Sequence, residues 1–291
     1  MLKIALPNKG RLADEVRSTL ADAGLDVRAA SERSLTASLG GEFAALFVRA
    51  EDIPAFVADG AADAGITGWD LVQESGRELE DLLDLGFGRC RLSVAMLKPP
   101  PGAPAPRLED IPDGARVGTK FGRLAEGYFA KLGRSIKVVH LSGAAEVAPH
   151  LGIADVIVDL VSSGSTLRVN GLVEVATIVE SSARLVSRPR SVVGEETAKH
   201  LSELALALES VVRARGQRYL MANAPREALG AVREILPGIA GPTVIDVTSD
   251  AGAMVAVHAV VAQSAVYRTI ARLKEAGCSG ILVTRIERLT P

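Results

Sequence analysis

The segment Asp155-Val-Ile-Val-Asp-Leu-Val-Ser-Ser-Gly-Ser-Thr166 carries the side chains best suited to chemistry. Its apolar stretch is uniform enough for a strand buried on both faces. Asp159 falls near the carboxyl end of that stretch, and Ser162, Ser163, Gly164, Ser165 and Thr166 follow directly. Ligands of open α/β sheets sit beyond the carboxyl ends of the strands. A Ser/Gly/Thr loop entering a helix offers backbone N–H groups, hydroxyl donors and the positive end of a helix dipole, which together seat a phosphate monoester. Gly164 allows a ligand close to the backbone. A carboxylate accepts hydrogen bonds from a pair of hydroxyls, so Asp159 suits those of a ribose. The whole describes a site for ribose 5-phosphate. The same string also reads as a strand–turn–helix junction capped by Ser and Thr, and it lacks the lysine of a Walker loop. Asp155 stands apart. Four residues of strand put it about 13 Å from Asp159, at the opposite end, where it is expected to bond nearby loop amides.

Short apolar runs alternate with amphipathic segments around this loop. Strands are expected at 2–7, 43–48, 62–67, 92–97, 115–119, 136–141 and 154–161, and helices at 9–23, 51–59, 68–75, 122–132 and 144–151, with Asn8 as the cap of the first. This is the alternation of a doubly wound parallel sheet. The proline-rich stretch 98–106 is a loop between two such units. Gly60-Ala-Ala-Asp63 and Gly152-Ile-Ala-Asp155 each precede an apolar run, an echo that suits two lobes built on one plan around a cleft. Two β-rich runs, LVEVATIV and ARLVS, are expected to cross back to the first lobe, before a long helix over 195–215. The last part reads βαββαβ, a ferredoxin-like (ACT-like) unit. The expected fold class is therefore α/β: two doubly wound lobes around a cleft, periplasmic-binding-protein-like, plus that C-terminal domain. The divisions are 1–91 with 179–212, then 92–178, then 213–291.

Composition narrows the function. Hydrophobic residues make up 48% of the 291, enough for a large core. A formal charge of −2 leaves no basic excess for nucleic acid. Cys90 and Cys278 are too few for a disulfide framework and are expected to be buried small hydrophobes. No apolar run has the length of a membrane helix, and the opening residues do not read as a signal peptide, so a cytoplasmic protein is expected.

The string from Glu146 through Gly152-Ile-Ala154, Ile157-Val-Asp-Leu160 and Ser163-Gly-Ser-Thr-Leu167 resembles the signature of ATP phosphoribosyltransferases at every fixed position. The resemblance extends through LPNKGRL, AEDIPAFVADGAADAGITGWDL, GFGRCRLSVA and the tail YLMANAP, GPTVIDV and AGCSGILV, so it covers nearly the whole chain. The tail marks the long form of the family, with its own regulatory domain. The resemblance implies that phosphoribosyl pyrophosphate sits on Asp159, Leu160, Val161, Ser162, Ser163, Gly164, Ser165 and Thr166. It implies transfer of the phosphoribosyl group to N1 of ATP, with magnesium accompanying the pyrophosphate. It also implies inhibition by L-histidine at Asn223, Thr243, Val260 and Gly280, and dimers that assemble into hexamers.

Two anionic substrates need cations. Lys9, Gly10 and Arg11 follow the first strand and Arg49 follows the strand 43–48, all at carboxyl ends, which makes them candidates for the ATP site. Lys9 also reads as a solvated lysine, and Arg49 as an ion-pair partner of Glu51 or Asp52. Glu146, after strand 136–141, suits a ribose or a magnesium-bound water, or else a helix N-terminus. Asp159, Lys9 and Glu146 are thus the expected catalytic groups; the ligands of the metal are not evident. Trp69 and Tyr128 are candidates for stacking on adenine, though lone aromatics usually pack. The alternative function is a non-catalytic two-lobed binding protein, which turnover distinguishes.

Overall fold

The computed structural model describes residues 1–28, 34–40, 42–238, 241–247 and 254–290. Two compact units divide the chain, 1–205 and 206–291. In the first unit one sheet holds Leu2–Pro7 (β1), Thr36–Ser38 (β2), Phe43–Val48 (β3), Ala64–Gly68 (β4), Glu80–Asp84 (β5) and the late strand Ala183–Ser187, with helices Arg11–Asp22 (α1), Ile53–Ala58 (α2) and Trp69–Ser75 (α3) between them. The other holds Cys90–Leu97 (β6), Ala115–Thr119 (β7), Ile136–His140 (β8), Val156–Val161 (β9) and Leu172–Ser181 (β10), with Gly122–Lys131 (α4) and Ser165–Val169 (α5). With Ala183–Ser187 as β11, the orders are β2-β3-β1-β4-β11-β5 and β10-β6-β9-β7-β8.

The uniform apolar run of β9 is explained by burial on both faces. Val156 and Val158 join a cluster with Leu92, Val94, Val117, Phe121 and Phe129, while Ile157 and Val161 face Ala95, Leu167 and Leu172. Successive side chains point to opposite faces of a strand, so one run feeds two layers. On α1 the buried residues are Ala13, Val16, Thr19 and Leu20, one face of a 3.6-residue period. Its cap is Gly10 at φ 85° and not Asn8, because glycine takes the left-handed turn from strand to helix.

Several expectations need correction. The sheets are mixed, not parallel: β6 runs antiparallel to β9 and β10, β11 to β4 and β5, and β2 to β3. These strands are not tied to their neighbours by a βαβ crossover, which is what enforces parallel pairing. LVEVATIV does not return to the first sheet. It stays on β6 as β10, from Leu172↔Leu97 to Ser181↔Cys90, and only ARLVS crosses. The strand β5, EDLLD, was not expected, since charges interrupt its pattern. It is an edge strand, and Asp81 and Asp84 are held by Arg184 of β11. The expected helix 144–151 is one tight turn, Ala145–Val147, followed by further three-residue turns. Pro149 has no N–H with which to continue a helix.

The Gly–Asp echo is structural. Asp63 N–H donates to the Lys3 carbonyl and its carboxylate accepts the Lys3 N–H, each at 2.8 Å. Asp155 N–H donates to the Arg116 carbonyl at 2.8 Å and its carboxylate accepts the Arg116 N–H at 2.7 Å. Gly60 and Gly152 make the preceding left-handed turns at φ 77° and 67°. Each aspartate therefore pins the amino end of a strand to its parallel neighbour. Asp155 additionally holds the Arg116 guanidinium at 2.7 Å, which draws its carboxyl below the usual range.

Helix α4 carries an exposed glycine, Gly127, where an added Cβ would have no neighbour within 4 Å. Gly127→Ala is expected to stabilise the protein by about 0.5–1 kcal/mol through helix propensity. An unchanged or lowered midpoint in urea denaturation disproves this.

After Glu195–Ala214 (α6), the second unit contains Gln217–Pro225 (β12), Leu229–Ile235 (α7), Thr243–Asp246 (β13), Met254–Ala262 (β14), Val266–Glu275 (α8) and Ser279–Arg285 (β15). The sheet order β13-β14-β12-β15, antiparallel throughout, is the ferredoxin-like arrangement. One sheet face, with Leu220, Ala222, Val255 and Val257, packs with Val232 and Leu273 of the helices.

Candidate active site

The segment Asp159–Leu167 and Glu146 line one cavity of about 230 Å³ beyond the carboxyl end of β9. Asp159 is half-buried, and its Oδ1 accepts the Leu160 N–H at 2.8 Å. Burial pushes its carboxyl above the ordinary range; the Leu160 N–H and the charge of Lys120 draw it back, and Glu146 pushes it up again. In the loop, the Ser163 and Ser165 hydroxyls lie 2.9 Å apart and Arg168 Nη1 donates to the Ser163 carbonyl at 3.1 Å. Gly164 is left-handed at φ 71°, and a Cβ there would meet Arg168 Nη1 at 3.2 Å. Since α5 has only five residues, its dipole is small. The binding capacity of the loop lies in its N–H groups, hydroxyls and the adjacent guanidinium.

Glu146 follows a strained residue. Ala144 is the non-glycine residue with positive φ, 51°, among those described. A left-handed alanine costs about 1–2 kcal/mol, and such strain gathers at functional sites.

A larger cleft of about 570 Å³ adjoins this cavity and shares Leu160 and Ser162 with it. Its walls include Arg11 after β1, Ala50 and Glu51 after β3, Asp70 beyond β4, Cys90 at the start of β6 and Lys120 after β7. Carboxyl ends of parallel strands from both sheets thus converge on it. Asp70 is only 4% exposed and accepts the Ser181 hydroxyl at 2.6 Å, while its own N–H donates to that oxygen at 3.0 Å. Gly68 makes room for this carboxylate, since a Cβ would lie 2.4 Å from Asp70 Oδ1. Cys278 is buried, but Cys90 is half-exposed on the cleft wall, where burial, and then the charge of Asp70, push its thiol up.

Of the expected ATP residues, Arg11 lines the cleft; Lys9, Gly10 and Arg49 line neither cavity. Pro7 pairs with Val48, so Lys9 and Arg49 leave the sheet at one edge, beside the lining residues Arg11 and Ala50. Among the described residues, Lys9, Arg11 and Arg49 form no ion pair, Glu51 and Asp52 included. Trp69 and Tyr128 line a separate groove and are engaged in packing: the Arg184 guanidinium lies 5.5 Å from the Trp69 ring, and Tyr128 meets Phe129 edge-on at 5.7 Å. In the second unit Asn223 lies against Gly280, 3.1 Å from the position of a Cβ there. Thr243 pairs with His258 and Val260 with Tyr219, two rows apart along β14.

Sequence reasoning passed over three residues that line the cleft, Lys120, Asp70 and Arg89. Lys120 directly follows an expected strand, so the carboxyl-end rule that singled out Lys9 also finds it. Asp70 and Arg89 carry no comparable signal, because the cleft is assembled from distant segments.

Comparison with known proteins bears on this site. Residues 49–210 match the family model for ATP phosphoribosyltransferase, and residues 214–288 the model for the HisG C-terminal domain. An ATP phosphoribosyltransferase of Gemmatimonas aurantiaca is 60% identical over the whole of both chains. One from Methanocella arvoryzae is 46% identical over 99% of each. The solved ATP phosphoribosyl transferase (HisG:HisZ) complex from Thermotoga maritima contains a chain similar at a TM-score of 0.62 and 29% identity, over 73% of this chain and 99% of that one. Likeness in sequence along the full length, and in fold over most of it, means that this chain belongs to the ATP phosphoribosyltransferase family, whose members are pentosyltransferases.

Proposed function

We propose that the protein transfers the phosphoribosyl group of phosphoribosyl pyrophosphate to N1 of ATP and releases pyrophosphate, the first step of L-histidine biosynthesis. The observation that carries this reading is the single cavity lined by Asp159, Glu146 and the loop Ser162–Thr166. The loop takes the 5-phosphate, and Asp159 takes the ribose hydroxyls. The C1–O bond breaks with its electron pair leaving on pyrophosphate, and the N1 lone pair forms the new bond to C1. The positive charge gained by the purine is relieved when its 6-amino group loses a proton. Such a reaction needs alignment and charge stabilisation, with no nucleophilic side chain. ATP is assigned to the adjoining cleft, with Arg11 on its wall and Lys9, Gly10 and Arg49 at its margin.

Magnesium keeps waters and phosphate oxygens as ligands and needs few from protein. Two carboxylates facing one cavity, Asp159 and Glu146, fit that demand. Among the described residues no three acidic, histidine or cysteine side chains cluster as a closed cage. When bound, the ion neutralises charge on the pyrophosphate.

Mixing ATP, phosphoribosyl pyrophosphate and magnesium is the direct test: a product with altered near-ultraviolet absorbance is expected, and its absence rejects the reading. Lys9→Ala is expected to raise KM for a substrate and lower kcat about tenfold, as loss of a charged contact does; wild-type kinetics remove Lys9 from the site.

Residues 213–291 are assigned a regulatory role, with L-histidine bound at Asn223, Thr243, Val260 and Gly280. Calorimetry of the intact protein with histidine tests this, and absence of heat rejects it. Association of chains, as dimers and hexamers, is supported by the second unit's outer sheet face, where Leu282 and Ile245 are 53% and 49% exposed. A cytoplasmic location is supported by two free cysteines, and no described helix is long and apolar enough to cross a membrane.

A further inference from the structure

We propose that Lys120 binds the pyrophosphate end of the phosphoribosyl donor and carries the charge of that leaving group as the C1–O bond breaks. The inference rests on the reading of Asp159 and its loop as the ribose 5-phosphate site. With the 5-phosphate on the loop and the hydroxyls at Asp159, C1 and its substituent must project out of the small cavity. The space that adjoins it is the cleft sharing Leu160 and Ser162. Lys120 lines that cleft.

Register places Lys120 beside the sugar. The parallel strands β7 and β9 pair Val117 with Val156 and Gly118 with Ile157. Continued past the end of β7 at Thr119, that register brings Lys120 level with Asp159, whose carboxyl feels its charge. Its ammonium lies 4.8 Å from the centroid of the Phe121 ring, a residue 1% exposed, so the side chain rests on a fixed surface. Among the described residues it forms no ion pair, although Asp159 and Cys90 both feel its charge. A half-buried cation left without a carboxylate partner is available to an anion. Arg134, by contrast, is spent on the Leu108, Ile111 and Glu109 carbonyls. In the transfer the electron pair of the breaking C1–O bond is delivered to a pyrophosphate oxygen. A lysine ammonium is a compact point charge suited to stabilising that build-up.

The test compares the intact wild-type protein with Lys120→Met and Lys120→Arg, all with magnesium. Inorganic pyrophosphate and ribose 5-phosphate are titrated separately, and steady-state kinetics are measured. Lys120→Met is expected to weaken pyrophosphate binding about tenfold or more and to lower kcat/KM for the donor at least as much. Ribose 5-phosphate affinity should change less than threefold, and Lys120→Arg should restore most of the pyrophosphate affinity. Unaltered pyrophosphate affinity in Lys120→Met, with ribose 5-phosphate still bound, overturns the assignment of Lys120 alone. Equal losses for both ligands assign Lys120 to holding Asp159 and also overturn it. Failure of wild-type protein to bind ribose 5-phosphate overturns the loop reading, and this inference with it.

Discussion

Asp159→Asn is expected to lower kcat/KM for the phosphoribosyl donor about a hundredfold or more while leaving the protein as stable as before, or more so. On the proposed reading, asparagine keeps shape but loses the charge that would accept two hydroxyl hydrogen bonds, so the loss should appear in the step where the sugar develops positive charge. The stability half follows from linkage. Burial raises the Asp159 carboxyl above its unfolded value, so the folded state holds that proton more tightly. The contribution of this group therefore favours folding at low pH and is lost as pH rises through the folded pKa. At neutral pH the wild type bears the cost of a desolvated charge, and asparagine removes it. Activity has the opposite slope. In the proposed role the ionised form is the acceptor, so kcat/KM should fall as pH drops through a value above the ordinary aspartate range, and this limb should vanish from the variant. A variant that retains its activity, or melts several degrees lower, shows Asp159 to be a structural group.

The second large effect is expected at Gly65, the second residue of β4. A Cβ there would lie 2.4 Å from Ile53 Cγ2 and 2.9 Å from Val57 Cγ2, both on α2 and both wholly buried. Neither neighbour is the free end of a flexible chain, since both are α2 residues buried in a cluster with Ala5 of β1 and Ala62. Gly65→Ala should cost about 1–3 kcal/mol by overpacking, and Gly65→Val more. A shift of α2 also moves Ala50 and Glu51, just before it, on the cleft wall. Activity should therefore decline together with the melting temperature, whereas Asp159→Asn separates the two. A Gly65→Ala protein that melts like wild type shows that α2 yields without cost.

Much of the architecture is legible in local sequence because burial imposes local patterns. The run Val156–Val158 reads as a two-faced strand, and packs on two clusters. The βαββαβ order of the last unit is read from alternation alone, since its sheet hides one face and shows the other. The Gly–Asp echo is legible because one aspartate carboxylate and one left-handed glycine serve the same junction twice. The aspartate and hydroxyl-rich loop stand out for a related reason: contiguous residues line one cavity.

Strand direction was not legible. The apolar pattern of β6 or β10 is the same whether its neighbour runs parallel or antiparallel, and the choice is made by partners about 80 residues away, such as Leu172 and Leu97. Edge strand β5 escaped notice because Arg184, from the distant strand β11, neutralises its aspartates.

The chain by itself determined its family, its alternation of strands and helices, and the place of the hydroxyl-rich loop after β9. These depend on residues close together in sequence, where period and turn chemistry act. Only the tertiary structure decided which strands run against one another, that Lys120 stands level with Asp159, and that Cys90 looks onto a cleft. Each of those is a meeting of segments far apart in the chain, and such meetings are set by packing, which leaves no mark in any single stretch.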